Sequence, residues 1–386
     1  MQDNTLHTRS MKSAQSALLA PVLNQHFVDA IARKLQLASL LERVCQALDL
    51  TETQYKAATA HYEAVGNWLS EADEILLQNL SIYPHGSFSL GTPVKPLTRE
   101  EYDVDLVCFN RLATPTMQPA ALKKLIGDRL RQKAHYRDIL EEKTRCWRLR
   151  YANEFHLDIT PSILNPACIN GGELVPDKQL KDWKKTNPKG YQVWFKEHAK
   201  LQSRLDLAKT EVAKARAEIE ALPEPTRFKG ILKRCIQLYK RHRDIWFSEG
   251  QNNELAPISI IITTLAAKSY AYCVRNFIYE TELDIVIDTL QHMPKFIKIQ
   301  NFGDRDYYFI WNEAAQGENF AEKWNTDGRL AKAFFDWQQE AIRSLECLIS
   351  LSGLDQVGEK LSNAFGSFAA GKAIRDLTDA ISVARE

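Results

Sequence analysis

Asp103 and Asp105 stand two residues apart in an otherwise apolar run, Tyr102 to Phe109 (YDVDLVCF). In a strand alternate side chains share a face, so both carboxylates project together while Val104, Leu106 and Cys108 pack behind. Two adjacent carboxylates repel unless a cation lies between them, and the hard ion Mg²⁺, which takes oxygen ligands, suits that place. The matching part lies 17 residues before Asp103, where Gly86-Ser87 follows the β-like run Ser81 to Tyr83 and opens a helical turn. Free backbone N–H groups at such a turn bind phosphate oxygens. Gly86 lets the backbone come close, and the Ser87 hydroxyl can cap the turn or donate to a phosphate. A phosphate turn paired with an in-strand acid pair points to a nucleoside triphosphate.

A third carboxylate follows from the next strands. Arg145 to Tyr151 alternates, with Arg148 and Arg150 on one face and Trp147, Leu149 and Tyr151 on the other. A hairpin through Ala152 to Glu154 leads to Phe155 to Ile159, whose polar face carries His156, Asp158 and Thr160 before Pro161 ends the strand.

The remaining pattern supplies supports. Apolar spacing predicts helices from Val22 to Leu50 and from Gln54 to Leu80, with Thr51 as cap between them. A base-studded helix runs from Ala120 to Tyr136. Turn formers and lysines between Asn165 and Gly190 predict surface excursions. Helix is expected again over Tyr191 to Ala221, and then over 226–247, 257–276, 281–291, 319–350 and 371–384. The first 20 residues are expected to form a mobile arm.

The chain has 386 residues, with 50 Lys and Arg against 49 Asp and Glu, for a formal net charge of +1. That balance excludes a global pull on nucleic acid or anionic membrane, so partners must be recognised locally. Seven dispersed cysteines, with no C-x-x-C pair, speak against a disulfide framework or structural zinc. No window reaches the ~18 apolar residues of a membrane span, and a soluble, cytoplasmic protein is expected.

Taken together, HGSFSLGT, YDVDLV and FHLDITP resemble the nucleotidyltransferase superfamily, and specifically the bacterial relatives of cyclic GMP-AMP synthase, the CD-NTases of CBASS anti-phage systems. The resemblance implies an α+β, two-lobed nucleotidyltransferase fold: a polymerase-beta-like lobe with a mixed sheet, a helical lobe, and the active site in the cleft between them. It divides the chain into an N-terminal helical segment (1–50), a catalytic lobe (51–195) and a helical, substrate-binding lobe (196–386), with the boundary inside the helix after Tyr191. It implies Asp103, Asp105 and Asp158 as catalytic acids that hold two Mg²⁺ ions, with Mn²⁺ an alternative, and Gly86 and Ser87 as the triphosphate cradle. Leu238 to Asp244 and Pro257 to Ile260 match the family's helix lysine and helix-start serine, so Lys240 and Ser259 are expected on the triphosphate. A Lys ammonium suits a polyphosphate, and Ser259 falls where free helix N–H groups also point.

The implied activity is condensation of nucleoside triphosphates, ATP among them, into a cyclic di- or trinucleotide second messenger that reaches a downstream effector. The alternative is another nucleotidyltransferase, one that extends RNA ends or nucleotidylates a protein or small molecule. The zinc-binding insertion with which the animal sensor grips DNA has no counterpart here, so DNA activation is not implied. The chain's ending, Ile381 to Glu386, lacks the terminal small residue of the members whose tails are conjugated to other proteins. Ser162, Asn165 and Tyr307 are candidate base contacts that the sequence leaves unranked.

Overall fold

A computed structural model describes residues 29–384, except 79, 98–101, 152–154, 178–180, 206–228, 249–252 and 304. The predicted arm over the first 20 residues, the hairpin turn at Ala152 to Glu154 and the second half of the helix expected to reach Ala221 lie outside these residues.

Helix α1 covers 29–48, and α2 covers Glu52–Ser70, opened by a capping box in which Thr51 and Gln54 exchange side-chain bonds with each other's backbone N–H. The short α3 (Ile75–Gln78) then delivers the chain to β1 (Leu80–His85), α4 (Gly86–Leu90) and β2 (Tyr102–Asn110). The base-studded stretch is two helices, α5 (Pro119–Arg131) and α6 (Ala134–Asp138), followed by β3 (Leu140–Glu142), β4 (Trp147–Tyr151) and β5 (Phe155–Leu164).

Two expectations fail here. Pro161 does not end its strand: it stays in the parallel ladder opposite Cys108 of β2, and on the other side of β5 it falls in the gap between β4, whose pairing ends at Ile159, and β6, whose pairing begins at Ile163, a place where a proline is tolerated. The stretch from Asn165 to Gly190, read as surface excursions, holds β6 (Glu173–Asp177) and β7 (Asp182–Thr186). Strand β6 is buried along its length because Glu173 and Asp177 find partners inside: Tyr83 and Ser162 for the first, Arg145 for the second.

The sheet has seven strands, ordered β1-β2-β5-β4-β3, with β6 and β7 continuing from β5. Strand β5 lies at its centre, and β2 runs between β5 and the edge strand β1, antiparallel to β1 and parallel to β5. One face carries Val104, Leu106, Leu149, Phe155, Leu157 and Ile159 into a core with α2 and α5. Each such fully buried aliphatic side chain contributes roughly 1.5–3 kcal/mol, so the pleat's polar face must look the other way. Gly127 of α5 belongs to this packing, since a Cβ there would lie 2.2 Å from Cζ2 of buried Trp147. Gly127→Ala is therefore expected to destabilise the fold by about 1–3 kcal/mol, read from urea unfolding curves.

After α7 (Pro188–Ala199) and β8 (Arg204–Leu205), the chain is mostly helical: α8 (Ile231–Ser248), α9 (Ser259–Asn276), β9 (Ile278–Tyr279) and α10 (Glu282–Gln291). An unforeseen hairpin, β10 (Lys298–Asn301) and β11 (Asp306–Phe309), precedes α11 (Gly328–Ser350), α12 (Leu354–Phe365) and α13 (Ser367–Ala384). Thus the helix expected from 319 starts at Gly328, and the one expected from 371 is the second half of a helical pair. Helices α1 and α7 contribute Leu37, Leu41, Val44, Tyr191 and Phe195 to the same core as α8 through α13. We propose on that packing that both are functional parts of the helical lobe, although α1 precedes the sheet in the chain.

The two lobes are stitched along α8. Buried Arg234 pairs with Glu42 at 2.6 Å and Asp49 at 3.1 Å, and Gln237 donates to Asp49 and to the Pro93 carbonyl. Arg241 donates to the Lys95 carbonyl. The Gln237 and Arg241 bonds to Pro93 and Lys95 hold the segment after α4 against α8 where the lobes meet, while Arg234 ties α1 and Asp49 to the same helix.

Candidate active site

The polar face of the sheet floors this cleft. In the parallel β2–β5 ladder Asp105 lies opposite Asp158 and Asp103 opposite His156, so the pleat brings all three acids to one patch. Across the antiparallel β1–β2 ladder, His85 stands opposite Asp105, and Gly86 follows directly. Gly86 has φ +58°, and a Cβ there would lie 2.0 Å from Oδ2 of Asp105. The phosphate turn and the acid strand are thus in direct contact.

Helix α4 starts at Gly86 with no side-chain cap on its first N–H groups, which leaves them for a ligand. Its Phe88 stacks between Tyr55 and Tyr102 at ring distances of 5.3 and 6.2 Å, anchoring the turn on the strand that carries the acids.

The electrostatics follow from the crowding. Burial first, and then the Asp158 and Asp103 carboxylates, push Asp105 up to about 7. Among the described residues no Lys or Arg forms an ion pair with it. Asp103 is shifted upward too, by burial first, but 56% of its side chain is exposed at the cleft mouth and water screens the effect. Arg148 of β4 reaches both Asp158 and Asp103.

A cavity of about 580 Å³ is lined by Asp103 and Asp105 together with Lys240, Arg243 and Ser259 of the helical lobe, and by Asn312, Glu318 and Phe320. Lys240 is buried, its ammonium donating to the carbonyl and hydroxyl of Thr92 at 3.2 and 3.3 Å. Ser259 is exposed at the first position of α9, 3.4 Å from the Arg243 guanidinium.

The structure therefore brings together, around one cavity, Gly86, Ser87, Asp103, Asp105, Lys240 and Ser259, with Asp158 paired opposite Asp105. Of the three unranked base contacts none lines the cavity. Ser162 is spent on Glu173, Asn165 accepts the Ala167 N–H in a turn, and Tyr307 bonds Arg305 on the β10–β11 hairpin. Sequence reading assigned no role to Arg148, Arg243 or the residues around Asn312 and Glu318. The strand alternation put Arg148 with Arg150 on one face of their strand, and only the register with β5 shows that this face carries the acids.

Away from the cleft, α9 and α10 bring Cys273, Asp288 and His292 within 4.8 Å of one another. Asp288 there accepts the Tyr279 hydroxyl, and Nδ1 of His292 faces the Asp288 carbonyl at 2.9 Å, so these groups already have partners.

Residues 35–198 match the family described as Second Messenger Oligonucleotide or Dinucleotide Synthetase domain. A c-di-GMP synthase of Roseivirga ehrenbergii is 32% identical over 337 residues, which are 86% of this chain and 85% of that protein. The chain belongs to the CD-NTase family of cyclic-oligonucleotide synthases. Within the family, the cyclic dinucleotide synthase CdnG of Bradyrhizobium diazoefficiens is 26% identical over 228 residues, covering 55% of this chain and 54% of that one. The solved structure of a CD-NTase CdnG of the same organism, in complex with GTP, superposes with a TM-score of 0.67 at 19% identity, over 89% of this chain and 99% of that one. The nucleotidyltransferase fold is shared, and the expected α+β architecture stands. As a CD-NTase the chain is a nucleotidyltransferase that makes a cyclic-oligonucleotide second messenger. No helix among the described residues is long and apolar enough to cross a membrane.

Proposed function

We propose that this chain joins two nucleoside triphosphates, with GTP as a substrate, into a cyclic dinucleotide in a bacterial anti-phage response, and that the product carries the signal to a downstream effector. The observation that supports the reading is the convergence of Asp103, Asp105 and Asp158 beside the uncapped Gly86 turn. GTP is favoured by the c-di-GMP synthase relative and by the GTP-bound CdnG structure.

The donor set fits Mg²⁺ or Mn²⁺. All three ligands are carboxylates, as a hard cation prefers, and Asp105 is raised to about 7 by burial first and then by the neighbouring Asp158 and Asp103 carboxylates, whose repulsion a cation would relieve. When bound, two such ions would lower the pKa of a ribose hydroxyl and neutralise the departing pyrophosphate. The chain's own residues do the positioning. The N–H groups of α4, with Gly86 and Ser87, would cradle the donor triphosphate, while Lys240, Arg243 and Ser259 would hold phosphates from the helical lobe. Attack by the acceptor hydroxyl on the donor α-phosphorus forms one P–O bond and breaks the bond to the β-phosphate oxygen. Pyrophosphate leaves, and the hydroxyl proton passes to a carboxylate of the cluster. A second transfer closes the ring.

Lys240 gives a pH signature. Burial first, and then nearby Arg243, lower it to about 8, so it carries its charge below that pH and loses it above. kcat/KM for GTP is expected to fall as pH rises through about 8, by up to about tenfold per unit. Lys240→Gln should lower kcat/KM at pH 7 and flatten that limb.

The reaction itself is tested by incubating the protein with α-labelled triphosphates and Mg²⁺, followed by phosphatase and mass spectrometry. A phosphatase-resistant cyclic dinucleotide containing guanine, absent with Asp103→Asn/Asp105→Asn, is expected. Label appearing only in RNA or protein would overturn the reading.

A further inference from the structure

Arg148 is opposite Asp158 in the antiparallel β4–β5 ladder, on the same face. Its Nε donates to Oδ1 of Asp158 at 2.7 Å and its Nη2 to Oδ2 at 2.8 Å, a two-pronged grip. The same Nη2 lies 3.1 Å from Oδ1 of Asp103, and Nη1 lies 3.2 Å from Nδ1 of His156. His156 Nδ1 in turn is 3.4 Å from Asp103 Oδ1. The Arg148 side chain is only 21% exposed. A planar fork of this kind fixes carboxylate orientation in a way a lysine cannot, and here it fixes two carboxylates on two strands at once. Asp105 stands outside the grip, so a single guanidinium holds two of three crowded acids.

We infer that Arg148 is the built-in counter-ion of the catalytic acids: it keeps Asp158 and Asp103 aligned while no metal is bound and, through its own charge, weakens the cluster's hold on the first divalent ion. This rests on reading Asp103, Asp105 and Asp158 as the metal-binding acids. The two effects have opposite signs for function. Removing the charge leaves a more negative site that binds a cation more tightly, but it also frees Asp158, whose carboxylate must be placed for the acceptor hydroxyl. Arg148 is thus a positioning residue that trades metal affinity for geometry.

The test titrates Mn²⁺ alone, without nucleotide, into the full chain by calorimetry, and records melting curves in EDTA and in Mn²⁺. Arg148→Met is expected to bind Mn²⁺ about tenfold more tightly than the wild type, since a positive charge a few ångströms away has gone. It should melt lower in EDTA, recover in Mn²⁺, and turn over at least about a hundredfold more slowly despite the tighter ion. Arg148→Lys, which keeps the charge but not the fork, should hold Mn²⁺ within about threefold of the wild type while turning over slowly. Unchanged or weaker Mn²⁺ binding by the Met variant would overturn the inference, because a merely structural role does not tighten the site. Should the Met variant fold in neither condition, the Lys variant decides: affinity near wild type supports the inference, and weakened affinity overturns it. If Asp103→Asn/Asp105→Asn binds Mn²⁺ as the wild type does, the underlying reading of the acids fails instead, and the two failures are told apart.

Discussion

Asp105→Asn is expected to lower product formation by about a thousandfold or more, roughly 4 kcal/mol of transition-state stabilisation, while leaving the protein folded and more stable without metal. The position explains both halves. Asp105 sits on β2, in register with Asp158 of the central strand and against the Gly86 turn, half-buried and lining the cavity. Asn keeps the shape but loses the charge that a hard cation requires. The stability gain follows from the sign of the shift. An Asp raised to about 7 in the folded state takes up protons that the unfolded chain, with its ordinary carboxylate near 3.8, has already released. Folding stability contributed by this group is therefore lost as pH rises from about 4 to about 7, and stays lost above. In EDTA, wild-type melting temperature should fall across that window more steeply than that of Asp105→Asn, and at pH 8 the variant should melt higher. Pyrophosphate release supplies the activity readout. Turnover within about tenfold of the wild type would remove Asp105 from the catalytic acids.

This coupling of a local pattern to a distant partner also separates what the chain disclosed from what it hid. The Asp-x-Asp strand was legible because a period of two assigns faces without knowledge of neighbours, and the alternation observed in β2, β4 and β5 matches it. The helix at Glu52 was legible because Thr51 and Gln54 form a local cap. Register between strands is a different matter. Nothing within Arg145 to Tyr151 states that Arg148 will face Asp158, since that depends on how a hairpin and a crossover settle against the sheet. The β6 strand hid for the same reason: Glu173 looks solvated until Tyr83, 90 residues away, closes over it. Lys240 was expected only through the family resemblance, and what holds its ammonium in place is Thr92, 148 residues earlier in the chain. The part of the cavity lining around Asn312 and Glu318 comes from turns after the β10–β11 hairpin, which carry no periodic pattern to read.

Gly86→Ala is the second large effect expected, and it tests whether the phosphate turn and the acids act as one unit. Two causes combine at this residue. Its φ of +58° is one that a side chain adopts only at a cost, on the order of 1–2 kcal/mol. Its Cβ would also fall 2.0 Å from Oδ2 and 2.9 Å from Cγ of Asp105, so either the turn or the carboxylate must move. A displacement near 1 Å at this point costs about a hundredfold in rate. Turnover should therefore drop by at least that factor, with Mn²⁺ binding weakened in the same variant. Gly91, at the other end of α4, isolates the backbone cause. Its φ is +70°, but its Cβ would meet only the Nζ end of Lys233, at 3.0 Å, which a flexible side chain can withdraw. Gly91→Ala should thus melt below the wild type, by no more than Gly86→Ala does, while keeping turnover within about threefold and Mn²⁺ affinity unchanged. Equal loss of turnover in both variants would mean that α4 matters only through its backbone conformation. Loss confined to Gly86→Ala would locate the effect at its contact with Asp105, where absence of a side chain lets a triphosphate cradle and a metal ligand occupy adjoining space.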